Sequence, residues 1–195
     1  MIKVGVTGGI GSGKSIVCRV FESLGTPVFY ADRHSRRLVD SEPEIRKMLT
    51  GLFGPELYEG NALNRPHFAA LIFTDRQLLE AANAIIHPFV RREFESWAQN
   101  YHDKSYVIEE AAILFESGGK SHVDKSIAVV SPADIRVKRI LKRPGMTPER
   151  IRDIMANQWP DEKIAAMADF VIINDEKSLI LPQILFIHQQ LTAQH

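Results

Sequence analysis

The chain of 195 residues contains a single cysteine, Cys18, so no disulfide closes within it and a reducing, cytoplasmic setting is expected. Long apolar runs are equally scarce. The best candidate, Leu179 to Ile187, is interrupted by Pro182 and Gln183 and falls short of the ~18 residues that a spanning helix requires. Charge of one sign is lacking too: 24 Lys and Arg balance 24 Asp and Glu, so no global field draws the protein to nucleic acid or to a membrane surface. The N-terminus reaches its glycines after one lysine, too early for a secretory signal, and the chain reads as complete from its first residue. Internal repeats and low-complexity tracts are missing. His34, His67, His102, His122, His188 and His195 lack metal-ligand spacing, and Cys18, inside a helical pattern, reads as packing. Neither N-K-x-D nor D-x-x-G occurs, which argues against a guanine-selective switch.

What is present is ordinary globular composition, with 45% hydrophobic and 25% charged residues, in a length that suits one domain carrying a helical insertion. Short apolar segments at Ile2–Thr7, Thr26–Tyr30, Tyr106–Ile108 (running on towards Ala111), Ser126–Val130 and Phe170–Ile173 read as strands. Helical patterns lie between them. The first runs from Lys14 to Leu24, with Ile16, Val17, Val20, Phe21 and Leu24 at helical spacing and Gly25 as its stop. This alternation predicts an α/β fold on a mainly parallel sheet. The interval from about residue 32 to 102 reads as helices throughout, with Leu78, Leu79, Ala82, Ile85 and Ile86 on one apolar face. Phe89, Val90, Phe94 and Trp97 form another, and Pro88 marks a helix start between them. The interval is expected to be an insertion on the ligand side of the sheet.

The stretch TGGIGSGKS, Thr7 to Ser15, carries the chemistry. Gly8 to Ser15 matches G-x-x-x-x-G-K-[ST] after a predicted strand and before a predicted helix, the context the motif demands. Glycines let the backbone turn its N–H groups inward as an anion nest beside a positive helix N-terminus. Lys14 then reaches the β- and γ-phosphates of a nucleotide, and the Ser15 hydroxyl is a ligand for Mg²⁺.

A P-loop alone leaves open a kinase for some small hydroxyl acceptor, such as a nucleoside, or a nucleotide-dependent switch. Further residues bear on the choice. Asp32 follows the second strand, where it either orients an attacking hydroxyl and takes its proton or caps the next helix. Glu109 and Glu110 end the third strand, either as a Walker-B-like carboxylate or as an exposed pair. The basic run from Arg136 to Arg152, broken by Pro144-Gly145, is either a solvated helix face or a lid over phosphates.

Taken in order, ADRHSR (Ala31–Arg36), GNALNR (Gly60–Arg65) leading to Phe73, IIHP (Ile85–Pro88), ILFE (Ile113–Glu116), RVKRILKR (Arg136–Arg143), Gln158 and ADFVIIN (Ala168–Asn174) extend the P-loop into a combination that resembles the dephospho-CoA kinase family. The likeness runs nearly end to end. It implies a P-loop kinase fold in a single domain, 1–195: a five-stranded parallel sheet flanked by helices, a helical acceptor-binding insertion about 32–102 and an arginine-bearing lid about 136–152. It implies transfer of the γ-phosphoryl of ATP, with Mg²⁺, to the ribose 3′-hydroxyl of dephospho-CoA. On that resemblance Asp32 matches the catalytic base, with Lys14, Arg139 and Arg143 beside it. Gly9, Gly11, Ser12, Gly13, Lys14, Ser15, Ile16 and Asn174 belong to the nucleotide side, with Asn174 in the stretch near adenine. Arg36, Arg65 and His87 join Asp32 on the acceptor side. No nucleic acid or membrane partner is implied, and a monomer is favoured. Three positions depart from the family pattern: Tyr30 stands for the first aspartate of D-A-D, Ala112 for the proline of P-L-L, and Ile16 where threonine is common.

Overall fold

The structure is a computed structural model that describes residues 1–193, without the side chains of Phe73 and Thr74; the Phe73 side chain of the quoted segment and His195 therefore lie outside what is described. The chain divides into two compact units, one made of Met1–Tyr30 and Ala98–His195 and the other of Ala31–Trp97. The first opens with β1 (Ile2–Thr7), α1 (Lys14–Ser23) and β2 (Val28–Tyr30). The second holds α2 (Ala31–Ser41), α3 (Pro43–Phe53), β3 (Tyr58–Glu59), β4 (Ala62–Leu63), α4 (Arg65–Thr74) and most of α5 (Arg76–Gln99). The chain then returns to the first unit with β5 (Tyr106–Glu110), β6 (Lys125–Val130), α6 (Ala133–Leu141), α7 (Pro148–Ala156), α8 (Asp161–Met167), β7 (Phe170–Ile173) and α9 (Ile180–Thr192). No helix among the described residues is long and apolar enough to cross a membrane.

The strands of the first unit form one five-stranded sheet in the order β2-β5-β1-β6-β7, and each neighbouring pair is parallel. The expected five-stranded parallel α/β sheet is thus present. β1 is central, and from it the chain crosses first to one side and later to the other. That makes its carboxyl end the switch point at which such sheets bind ligands. A parallel sheet covered on both faces needs strands that are apolar throughout. Val4, Val6, Ile108, Ile127, Val129 and Ile172 are accordingly buried against Val17, Cys18 and Phe21 of α1 and Ile184, Ile187 and Leu191 of α9. On the opposite side, Phe115, Ala128 and Ile164 form a second cluster against Trp159 and Ala168.

The second unit corrects two expectations. Its interval is not helical throughout, because Tyr58–Glu59 and Ala62–Leu63 pair antiparallel across Gly60 and Asn61. Strands of two residues are too short to show alternation. What holds the hairpin is non-local: Arg46 donates to the Gly60 carbonyl at 2.6 Å, and its guanidinium lies 4.7 Å over the Tyr58 ring. Nor does Pro88 start a helix, for it lies inside the 24-residue α5. Ala82, Ile86, Phe89, Val90 and Phe94 recur at steps of three and four and are all buried, so the two apolar faces are one stripe. A proline inside a helix costs ~3 kcal/mol, and a buried Ile, Val or Phe returns roughly 1.5–3 kcal/mol each. The stripe outweighs the break.

Candidate active site

β1 delivers Thr7 to the carboxyl edge of the sheet, and the chain turns through Gly8–Gly13 into α1. Gly13 is the N-cap of α1 at φ 101°, a left-handed geometry that side chains resist. A Cβ there would also lie 2.2 Å from the Asn174 amide nitrogen. The loop is held by its carbonyls. Arg136 Nε donates to Ile10 O at 2.8 Å, Arg139 Nη1 to Gly11 O at 3.4 Å, and Asn174 Nδ2 to Ser12 O at 2.7 Å. In a planar trans peptide the next N–H points opposite to the carbonyl. The N–H groups of Gly11 and Gly13 therefore face away from this wall of side chains, beside the positive N-terminal end of α1.

Lys14 is buried, and its Nζ donates to Gly8 O at 2.8 Å. Ser15 is exposed in the first turn of α1. Ile16 is 48% exposed, with its N–H bonded to Gly13 O at 2.9 Å. The hydroxyls of Thr7 and Ser12 are buried without a hydrogen-bond partner among the described residues. That is uncommon for buried polar groups and suits a site completed by a polar ligand.

The two strand-end carboxylates take opposite sides, as successive strand residues must. Glu109 is 3% exposed and accepts from His122 Nε2 at 2.8 Å, so the reading of an exposed pair does not hold. Glu110 is on the loop side. Burial pushes the Cys18 thiol well above its ordinary pKa; the Glu110 carboxylate adds to this and the Lys14 ammonium opposes it. Both charges are thus felt at the same point of α1. Cys18 is fully buried, in keeping with packing.

The arginine run resolves into a helix-turn-helix, α6 and α7, with its arginines in different surroundings. Arg136 is 6% exposed and also pairs with Asp161 at 2.8 Å. Arg139 lies beside the loop, with Nη2 3.2 Å from Asn174 Oδ1 and paired with Glu176 at 3.2 Å. Arg143 stands on the exposed turn between the two helices. Asn174 is nearly buried, and its side chain is shared between Ser12 and Arg139. Gln158, just past α7, accepts from Ile10 N–H at 2.8 Å. Sequence patterns single out neither Arg136 nor Asp161, because their bonds span 126 and 25 residues.

The remaining candidates lie in the second unit. Asp32 is exposed and is the second residue of α2, which starts directly after β2, rather than the residue before the helix that an N-cap reading requires. Arg36 is exposed on the same helix, and its carbonyl accepts from Arg65 Nη2 at 3.2 Å. Arg65 also pairs with Asp40 at 2.6 Å, so the Arg65 side chain is fastened to α2. His87 is half-buried in the middle of α5. No group of three or more His, Cys, Asp or Glu among the described residues is arranged to hold a metal by itself.

A family model described as dephospho-CoA kinase matches residues 2–179. A dephospho-CoA kinase of Porphyromonas gingivalis is 42% identical over 186 residues, covering 95% of this chain and 92% of its own. Among solved structures, a protein of Thermus thermophilus superposes with a TM-score of 0.82 at 30% identity, over 99% of this chain and 97% of that one. A dephospho-CoA kinase from Campylobacter jejuni has the same fold, with a TM-score of 0.70 at 22% identity over 98% of both chains.

Proposed function

The chain belongs to the dephospho-CoA kinase family, and from that premise we propose how its residues carry out the ATP-dependent phosphorylation of dephospho-CoA on the ribose 3′-hydroxyl. The protein is a phosphotransferase with ATP as co-substrate. The observation that carries the reading is the P-loop itself, with its carbonyls tied to Arg136, Arg139 and Asn174 and the N–H groups of Gly11 and Gly13 facing the other way.

The backbone amides of Gly9, Gly11, Gly13, Lys14 and Ser15 take the triphosphate, and Lys14 exchanges its bond to Gly8 O for phosphate oxygens. Asn174 holds the loop at the nucleoside end. The Ser15 hydroxyl and the Glu110 carboxylate are hard oxygen donors, and their chemistry fits Mg²⁺. When bound there, the ion would supply positive charge to offset the charge that develops on the transferring phosphoryl. The second unit, Ala31–Trp97, receives the acceptor. The Arg36 and Arg65 guanidiniums match its anionic phosphates, and His87 is the third candidate on the acceptor side. Asp32 orients the 3′-hydroxyl and takes its proton as the new oxygen–phosphorus bond forms and the bond to the β–γ bridging oxygen breaks, leaving ADP. Arg139 and Arg143 close from the lid, about 136–152, with Gly145 in its turn. They meet the spread charge of the moving phosphoryl and keep water out. A cytoplasmic setting is part of the same reading, supported by the lone, buried Cys18, and a monomer is the favoured state.

The test is ADP release with ATP and a panel of acceptors. Release that depends on dephospho-CoA is the expected result. Release with a nucleoside alone, or tight ATP binding with no acceptor-dependent turnover, contradicts the reading.

A further inference from the structure

Ile10, at the apex of the P-loop, is held at both of its backbone groups by side chains from distant parts of the chain. Arg136 Nε donates to its carbonyl and Gln158 Oε1 accepts from its N–H, each at 2.8 Å. The two side chains are themselves fixed. Arg136 Nη1 donates to Asp161 Oδ1 at 2.8 Å, within a pair 7% and 16% exposed, and Asp161 Oδ2 also accepts from Ser131 N–H at 3.3 Å. Gln158 Nε2 donates to Ala112 O, just past β5, at 3.4 Å. Gly9 closes the arrangement: a Cβ there would lie 2.1 Å from an Arg136 guanidinium nitrogen, so the loop presses its bare backbone against the arginine.

These two residues bracket the lid. Arg136 lies in α6 and Gln158 directly after α7, so both stems of the helix-turn-helix are fastened to the same loop residue. We infer that Arg136 and Gln158 are positioning residues that act through Ile10: together they hold the phosphate loop in its nucleotide-binding orientation and tie the lid's stems to it. This rests on the reading of the loop as the ATP site. Neither residue touches the reacting atoms. When one of the bonds is lost, the loop spends time in other peptide orientations, and apparent nucleotide affinity falls by the fraction of competent loop.

The distinguishing variants are Arg136→Lys, which keeps a cation for Asp161 but loses the Nε donor, and Gln158→Leu, which loses the acceptor. Gln158→Glu keeps an acceptor for Ile10 N–H but gives up the Nε2 donor to Ala112 O, and is a partial rescue. Each single loss is expected to raise the KM for ATP roughly tenfold, with kcat and the KM for dephospho-CoA changed by less than about twofold. The double variant is expected to stay near tenfold rather than approach the roughly hundredfold product, because both act through one residue. Titration with ATP in the absence of acceptor should show the same weakening, and Gln158→Glu should restore part of it.

An unchanged ATP affinity in Gln158→Leu, or equal losses for ATP and acceptor, overturns the inference. So does a double variant that reaches the full product. Should Arg136→Lys fail to fold, the Gln158 pair decides alone. Should the unaltered protein bind ATP yet release no ADP with dephospho-CoA, the functional reading fails, and the ATP titrations still judge the clamp.

Discussion

Gly13→Ala tests the local geometry of the phosphate loop. Gly13 holds φ 101° at the N-cap of α1, and left-handed backbone costs an alanine ~1–2 kcal/mol. The new methyl also has nowhere to go, since its position lies 2.2 Å from Asn174 Nδ2. Asn174 must swing away, which breaks its 2.7 Å bond to Ser12 O and its contact with Arg139. Leaving such a buried carbonyl without its partner costs a further ~1–3 kcal/mol. The expected total is ~2–5 kcal/mol. Gly25→Ala supplies the comparison, because Gly25 has φ 84° but nothing within 4 Å of its Cβ position, leaving only the backbone cost of ~1–2 kcal/mol. Urea unfolding of both variants measures the two costs, and ATP titration should weaken in Gly13→Ala alone. Equal destabilisation of the two variants would refute the claim that Asn174 is packed onto the loop.

Two further outcomes follow from buried polar pairs. His122→Ala removes the partner of Glu109, which is 3% exposed, and should destabilise the protein by ~3 kcal/mol in urea unfolding while ATP affinity stays near that of the unaltered protein. Burial pushes the Tyr106 hydroxyl up to about 12 despite an opposing hydrogen bond with Thr26. Its folded pKa is thus above the unfolded value near 10, so its contribution to stability is full below about pH 10 and is lost as pH rises towards 12. Spectrophotometric titration should show a tyrosine phase at about 12 that Tyr106→Phe removes, leaving Tyr58, also pushed up by burial, unchanged.

The parts of this fold that sequence patterns expose are those governed by neighbours in the chain. β1 and β7 match their predicted segments, and α1 stops before Gly25, because strand composition, helical spacing and a stop glycine are local signals. β2 is shorter than expected, starting at Val28 rather than Thr26, since Pro27 has no N–H to add to the ladder. The β3–β4 hairpin and the continuous α5 escape notice because an Arg46 bond and a buried stripe across Pro88 decide them. The same holds in the site. The motif from Gly8 to Ser15 names the phosphate loop outright, while the residues that grip it from outside come from 126 and 148 positions away. Charge alone could not divide the arginine run. The division follows from which positions of α6 face the loop, with Asp161 as partner for Arg136 and none needed for the exposed Arg143.

The central claim is that Asp32 handles the acceptor hydroxyl while the P-loop holds ATP, and Asp32→Asn tests it most directly. The carboxamide preserves size but cannot take the proton. Turnover measured by dephospho-CoA-dependent ADP release should therefore fall by about 10²–10⁴-fold, the usual worth of a positioned base, with ATP binding nearly unchanged. An Asp32→Asn protein that keeps near-normal turnover would contradict the account.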